Sequence, residues 1–333
     1  MAATQTNVWQ RYAADLAAVE AQLTANLVSD VDLVGEVARY VLGSGGKRFR
    51  PMLLAASARM AGVGSAGVAH HDVALLGCVI EYIHTATLLH DDVVDDGDVR
   101  RGQDAARTVW GNAGSVLVGD YLYARALAVS VSLGNLGVVR VLTHAVERMS
   151  EGEVFQLAVC GDMRIVEDDY IKIVDMKTAA LMRTACLVGG MLGGLDGARL
   201  EALGTYGRNV GIAFQVADDT LDYQADTQVF GKALGVDLKD GKITLPLLYA
   251  LQRCDDAERT RLADIIALDD EPSEDDLRFT LDLMHRHRAI DDAHARAREY
   301  SAVAKQAITL AFPDGPDRQA LLALADYVVD RDR

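Results

Sequence analysis

Apolar residues recur at three- and four-residue intervals along most of the chain, the spacing of one helix face. Leu16, Val19, Leu23 and Leu27 mark a first helical stretch from about Val8, and Val34, Val37, Ala38 and Val41 mark a second, ending near Leu42. Gly43-Ser44-Gly45-Gly46 stops that run. Pro51, ahead of Met52-Leu53-Leu54-Ala55-Ala56, opens the next helix in the first turn, where its missing N–H costs nothing. Gly62 to Gly67 predicts a loop. From about His70 a helix runs through Val73, Leu76, Gly77, Ile80, Ile83 and Leu88, and Val116 to Val131 and Val138 to Cys160 predict two more. Asp168-Asp169-Tyr170 caps a helix that passes Lys177, Thr178, Met182 and Cys186, and Gly189-Gly190 with Gly193-Gly194 predict close helix packing or a break. Leu200 to Tyr223 is long and apolar, and the pattern from Leu247 onward is helical with charged, solvated faces. Strand alternation, repeat periods and low-complexity tracts are all missing. The expectation is an all-α protein with one domain over residues 1–333.

Composition agrees with helix. Five prolines in 333 residues leave room for long uninterrupted helices, and only 6% of residues are aromatic. Half the residues are hydrophobic, enough for a sizeable core. The net charge of −16 excludes general nucleic-acid binding, which needs a Lys/Arg footprint, although a local cationic site for an anion remains compatible with it. Cys78, Cys160, Cys186 and Cys254 form no CxxC pair and each sits in apolar helical sequence, so all four are expected to be small buried hydrophobes in a reducing compartment. Residues 1–9 lack a signal-peptide pattern, and no apolar run reaches 18 residues, so the reading is a cytoplasmic protein without a transmembrane segment.

Two acidic clusters interrupt this apolar pattern. Asp91, Asp92 and Asp95 follow Leu88-Leu89-His90, and Asp218, Asp219 and Asp222 follow Phe214-Gln215-Val216-Ala217. In each, carboxylates at i, i+1 and i+4 share a helical neighbourhood, where like charges destabilise by about 0.2–0.5 kcal/mol per pair. Clustered carboxylates without Cys or paired His call for a hard cation, Mg²⁺, which keeps several waters and takes one or two carboxylates together with substrate phosphates. His84 lies two turns before Asp91 on the same face.

Cationic elements accompany the acids. Gly45-Gly46-Lys47-Arg48-Phe49-Arg50-Pro51 places three cations in a Gly-rich loop that opens a helix, a setting suited to phosphate. Arg100, Arg101 and Arg107 follow the first acidic cluster, and Lys232, Lys239 and Lys242 follow the second in a Gly-rich segment that reads as a basic lid over 229–242. Metal and cations together suit cleavage or transfer of a diphosphate ester, with the cations stabilising charge on the leaving group. A Walker motif is absent, which argues against nucleotide hydrolysis.

These residues resemble the trans-isoprenyl diphosphate synthases, the polyprenyl synthetase family. The resemblance rests on Asp91-Asp92-x-x-Asp95 with Arg100-Arg101, on Asp218-Asp219-x-x-Asp222, on the loop at 45–51, on Lys177-Thr178 and on the Gly-Lys pairs at 231–232 and 241–242, in order from about residue 8 to the end. It implies an isoprenoid-synthase bundle of about ten or more helices around a central cavity. It further implies Mg²⁺ held by Asp91, Asp95 and Asp218, with Asp92, Asp219 and Asp222 assisting. Arg100, Lys177, Lys232 and Lys242 would hold an allylic diphosphate such as farnesyl or geranylgeranyl diphosphate; Lys47, Arg50, His84 and Arg101 would hold isopentenyl diphosphate. Ionisation of the allylic carbon–oxygen bond, attack by the isopentenyl double bond and proton loss would follow. A carbonyl of Lys177 or Thr178 and the side chain of Gln215 would stabilise the cation, under a lid that excludes water.

The resemblance also bears on product length. Bulky side chains four and five positions before the first Asp pair shorten the product in this family, and here those positions are Thr87 and Ala86, both small. The expected product is therefore a long all-trans polyprenyl diphosphate for a quinone side chain, as in octaprenyl, solanesyl and decaprenyl synthases. The alternatives are a short-chain geranylgeranyl or farnesyl synthase, a terpene cyclase, a non-catalytic synthase subunit and a di-metal phosphohydrolase. A cyclase has no use for Lys47, Arg50 and His84, and an inactive subunit has none for two intact acidic clusters. Val236 departs from the polar residue usual before Asp237. A homodimer is expected by the same resemblance.

Overall fold

The computed structural model describes residues 2–63, 70–221, 223, 238, 240–268 and 272–330. In chain order the elements are α1 (Ala2–Ala25), α2 (Asp32–Gly43), α3 (Phe49–Met60), α4 (His70–Val94), β1 (Val99–Arg100), β2 (Gln103–Asp104), α5 (Ala106–Ser132), α6 (Leu136–Ala158), α7 (Glu167–Val174), a π-helical turn (Asp175–Ala179), α8 (Ala180–Leu192), α9 (Gly197–Leu221), α10 (Leu245–Arg253), α11 (Asp256–Ile266), α12 (Glu274–Arg286), α13 (Ala289–Ala311) and α14 (Pro316–Asp330). The protein is all-α, as the periodicity predicts. The chain clusters into two compact units. The first comprises Met1–Glu147, Leu181–Gly207 and Ile308–Ala323; the second comprises Arg148–Ala180, Arg208–Ala307 and Leu324–Arg333.

The first unit is built around α4, which packs against α1, α3 and α5. Val73, Leu76, Cys78, Val79, Ile80, Tyr82, Ile83, Ala86 and Leu89 are all buried, so α4 is apolar on nearly every side, the signature of a central helix. It is long and apolar enough to cross a membrane, yet 78% of that window is buried inside the protein. Gly189 on α8 and Gly193 just after it mark close packing, and Gly194 with φ 75° marks a break. A Cβ on Gly189 would sit 2.3 Å from the Leu54 carbonyl oxygen, and one on Gly193 would sit 2.2 Å from the Ala61 Cβ, so α8 reaches the backbone of α3 only because these side chains are missing.

Two sequence expectations need correction here. Strand was not expected, but β1 and β2 form a two-residue antiparallel hairpin with Val99 opposite Asp104 and Arg100 opposite Gln103. Its turn residues, Arg101 and Gly102, both have positive φ (52° and 76°), the conformation that closes two-residue hairpins. Strands this short carry no readable alternation. Helix α5 also begins earlier than Val116, because Ala106–Trp110 forms a helical turn ahead of a break at Gly111 (φ 76°).

In the second unit, α7, the π turn and the later part of α9 supply much of the core through Tyr170, Ile173, Val174, Val210, Ile212, Ala213 and Val216. Asp169 caps α7 by accepting from the Val166 N–H at 3.1 Å. Reciprocal capping boxes at Asp255/Glu258 and Ser273/Asp276 start α11 and α12. The cysteine expectation holds for two of four. Cys78 and Cys186 are buried, and burial pushes both thiols up to about 12. Cys254 is half-buried, and Cys160 is exposed at the end of α6.

Candidate active site

Within the first unit, α4 delivers the first acidic cluster at its C-terminal end. Asp91 and Asp92 occupy the last helical turn, and Asp95 follows it with its N–H bonded to the Asp91 carbonyl at 2.8 Å. A helix C-terminus is the negative end of the macrodipole, so acids there are doubly unfavourable without a cation. Part of the compensation is internal: the hairpin returns Arg100 so that its Nε donates to Asp92 Oδ1 at 2.5 Å, with Asp92 buried. His90, although adjacent in sequence, points elsewhere, reaching the Val116 carbonyl at 3.1 Å and Asp120 at 3.3 Å. Asp96 and Asp98 are loop charges, paired with Arg107 at 2.5 and 3.0 Å.

A cationic cluster is assembled beside α4 in the same unit. Arg50 Nη1 lies 3.1 Å from His84 Nε2. A guanidinium only donates, so Nε2 must accept, and the imidazole is neutral with its proton on Nδ1. Burial, together with Arg50, Arg101, Arg100 and Arg48, holds the His84 pKa well below its ordinary value. Arg101 donates to the Gly45 carbonyl, which ties the hairpin turn to the Gly-rich loop. Lys47 is exposed on that loop. Sequence reasoning missed the acids behind it: Arg48 is held by Glu20 and by the buried Glu81, 33 residues downstream. Ala86 is fully buried, and Thr87 is half-buried with its hydroxyl donated to the His84 carbonyl at 2.7 Å.

Within the second unit, the site is organised by the π turn. π turns break the i→i+4 ladder and are frequent at functional positions. Two glycines let neighbouring helices approach it. A Cβ on Gly152 of α6 would lie 2.6 Å from the Met176 Cβ, and one on Gly211 of α9 would lie 2.5 Å from the Ala179 Cα. These approaches set the polar contacts. Lys177 Nζ donates to Gln156 Oε1 at 3.0 Å and pairs with Glu153 at 2.6 Å. Thr178 Oγ1 donates to Gln215 Oε1 at 2.9 Å, Gln215 Nε2 donates to Asp219 Oδ1 at 2.7 Å, and Tyr170 donates to Asp219 Oδ2 at 2.6 Å. Asp218 stands next to this chain on α9.

Lys242 pairs with Asp240 at 3.0 Å, and its loop is clasped to the end of α6: Gly161 N–H donates to the Gly241 carbonyl at 2.9 Å, and the Cys160 thiol donates to the Asp240 carbonyl at 2.7 Å. Gly241 has φ 64°, and a Cβ there would meet the Cys160 sulfur at 2.9 Å, so only glycine fits. Asp222, Lys232 and residues 229–237 and 239 of the expected lid lie outside the described residues.

The donors suit a hard cation: both clusters are carboxylate, and the nearest imidazole is turned away. Among the described residues no three carboxylate, imidazole or thiol groups converge on one point. Two carboxylate clusters and a set of arginines and lysines, carried on an all-α scaffold, fit the class of helical prenyltransferases that work on diphosphate esters. The polyprenyl synthetase family pattern matches residues 31–284, and the chain belongs to that family. It is a trans-polyprenyl diphosphate synthase. Octaprenyl diphosphate synthase of Escherichia coli is 42% identical over 321 residues, covering 96% of this chain and 97% of that one. The crystal structure of a decaprenyl diphosphate synthase from Rhodobacter capsulatus superposes with a TM-score of 0.91 at 39% identity, covering 98% of this chain and 99% of that one. A polyprenyl synthase from Caulobacter crescentus, solved with calcium and isoprenyl diphosphate, gives 0.90 at 39% identity and covers 97% of each chain.

Proposed function

We propose that this enzyme adds isopentenyl diphosphate repeatedly to an allylic diphosphate, farnesyl or geranylgeranyl diphosphate, and releases an all-trans polyprenyl diphosphate of roughly seven to ten units for a quinone side chain. The observation that carries the reading is Ala86: a methyl-sized, fully buried side chain five positions before Asp91, in a chain similar over nearly its whole length to an octaprenyl diphosphate synthase. The family pattern runs through sequence belonging to both compact units, which supports a single catalytic domain.

Asp91, Asp92, Asp95, Asp218, Asp219 and Asp222 would hold Mg²⁺, which when bound neutralises charge on the leaving diphosphate. Arg100, Lys177, Lys232 and Lys242 bind the allylic diphosphate. Lys47, Arg50, His84 and Arg101 bind isopentenyl diphosphate; the neutral His84 offers its Nδ1–H as a donor while Arg50 supplies charge. The π-turn carbonyls at Lys177 and Thr178 and the Gln215 amide stabilise the allylic cation. Tyr170 and Thr178 hold Gln215 and Asp219 in place for that role. The deprotonation step needs no strong side-chain base, because the departing diphosphate can take the proton.

A second copy of the chain is the proposed partner. Leu117, Leu127 and Val131 of α5 and Leu136 of α6 are exposed apolar side chains, and burying them against a symmetry mate supports a homodimer. Light scattering on the purified protein would give twice the chain mass, and a monomer at all concentrations would refute it. Catalysis is tested by incubating the enzyme with Mg²⁺, labelled isopentenyl diphosphate and farnesyl diphosphate, then separating the products by chromatography. No elongation would refute the synthase reading, and products stopping at about four units would refute the long-chain reading. Chelation of the metal should abolish turnover, and Mg²⁺ should restore it.

A further inference from the structure

The Gly-rich loop before α3 contains a conformation that needs support. Arg48 sits at φ 48°, ψ 41°, the left-handed region that disfavours side chains by roughly 1–2 kcal/mol. Its guanidinium is nevertheless almost fully buried, and three groups hold it there: the Leu42 carbonyl at 2.9 Å, Glu20 at 2.5 Å and Glu81 at 3.1 Å. Arg48 is thus consumed by the protein, whereas Lys47 on the loop and Arg50 in the first turn of α3 flank it and belong to the anion site. Glu81 comes from α4, one turn before His84, and its side chain is 5% exposed. Arg48, Arg50 and Arg101 all act electrostatically on that one carboxylate. Without it, three guanidinium groups would repel one another in a poorly solvated corner, and the left-handed turn would lose its buried anchor.

We infer that Glu81 is a positioning residue of the isopentenyl diphosphate site: by anchoring Arg48 and counterbalancing Arg50 and Arg101, it fixes the Gly45–Arg50 loop so that Lys47 and Arg50 meet the diphosphate, without itself touching substrate. This rests on the assignment of Lys47, Arg50, His84 and Arg101 to that substrate.

The test is steady-state kinetics on Glu81→Gln, with Arg50→Gln as the control for the site itself. Glu81→Gln keeps a hydrogen-bonding side chain of the same shape and loses the charge. It should raise KM for isopentenyl diphosphate on the order of tenfold, while KM for farnesyl diphosphate and kcat at saturation stay within about twofold. Glu81→Asp should recover part of the loss. A purely structural pair would lower thermal stability and leave the two KM values in proportion, and that result overturns the proposal. If Arg50→Gln raises KM for isopentenyl diphosphate and Glu81→Gln does not, only the positioning role falls. If Arg50→Gln leaves it unchanged, the site assignment falls and the proposal with it. Should Glu81→Gln fail to fold because Arg48 loses its buried carboxylate partner, the Arg48→Met/Glu81→Met double variant removes both charges and is read by the same criteria.

Discussion

The Tyr170 hydroxyl donates to Asp219 Oδ2 across 2.6 Å, joining α7 to the second acidic cluster on α9. Because Asp219 also accepts from Gln215, which in turn accepts from Thr178, one buried tyrosine orients three groups assigned to the allylic substrate and its metal. Tyr170→Phe removes a charge-assisted hydrogen bond and keeps the ring. It should cost about 1–2 kcal/mol of stability. It should also lower kcat roughly tenfold and raise the Mg²⁺ concentration needed for half-maximal activity. An unchanged Mg²⁺ titration would show that Asp219 needs no such support.

Ala86 decides product length on the proposed reading. Ala86→Phe inserts a ring where the side chain is now fully buried, so it should shorten the product to about four units and cost about 1–3 kcal/mol of stability. Chromatography of the products checks it. Full-length product from a folded variant would place the determinant elsewhere.

His84 makes stability depend on pH in a definite direction. Its folded pKa is depressed by burial and by Arg50, Arg101, Arg100 and Arg48, so the unfolded chain binds its proton more readily. The contribution is therefore present above the ordinary histidine pKa and lost as the pH falls below about 6.5. Urea midpoints should drop more between pH 7.5 and 5.5 for the native protein than for His84→Asn. Equal drops would contradict a depressed His84.

Gly189 should tolerate no side chain. Gly189→Ala drives a Cβ to 2.3 Å from the Leu54 carbonyl oxygen, and α3 must shift to relieve it. A loss of about 1–3 kcal/mol is expected, read as a lower melting temperature. Gly43→Ala is the comparison: no atom lies within 4 Å of its Cβ position, and a helical alanine there should be neutral or stabilising by up to about 1 kcal/mol.

Local chemistry made much of this protein legible before any coordinates. Helical periodicity with five prolines predicted the all-α class, and acids at i, i+1 and i+4 after apolar runs marked both clusters. The stop at Gly43–Gly46 could also be read, because it depends on residues close together in sequence. The hairpin at 99–104 could not be read, since two-residue strands leave no pattern. The exposure of Cys160 was hidden too, because an apolar context says nothing about which side of a helix end faces water.

The sequence by itself singled out the groups proposed to carry the chemistry: carboxylates for a hard cation, and Lys47, Arg50, His84, Arg100, Arg101, Lys177 and Lys242 for phosphate oxygens. Only the tertiary structure decided what each group is free to do. It withdrew Arg48 into a buried pair with Glu81, paired Arg100 with Asp92, made Nε2 of His84 an acceptor for Arg50 and placed Gly152 and Gly211 so that two helices could close on the π turn. The physical reason is common to all four. Hydrogen bonds and close approaches depend on distances of a few ångströms between groups 8 to 34 residues apart in the chain, and residue type and spacing carry no record of those distances.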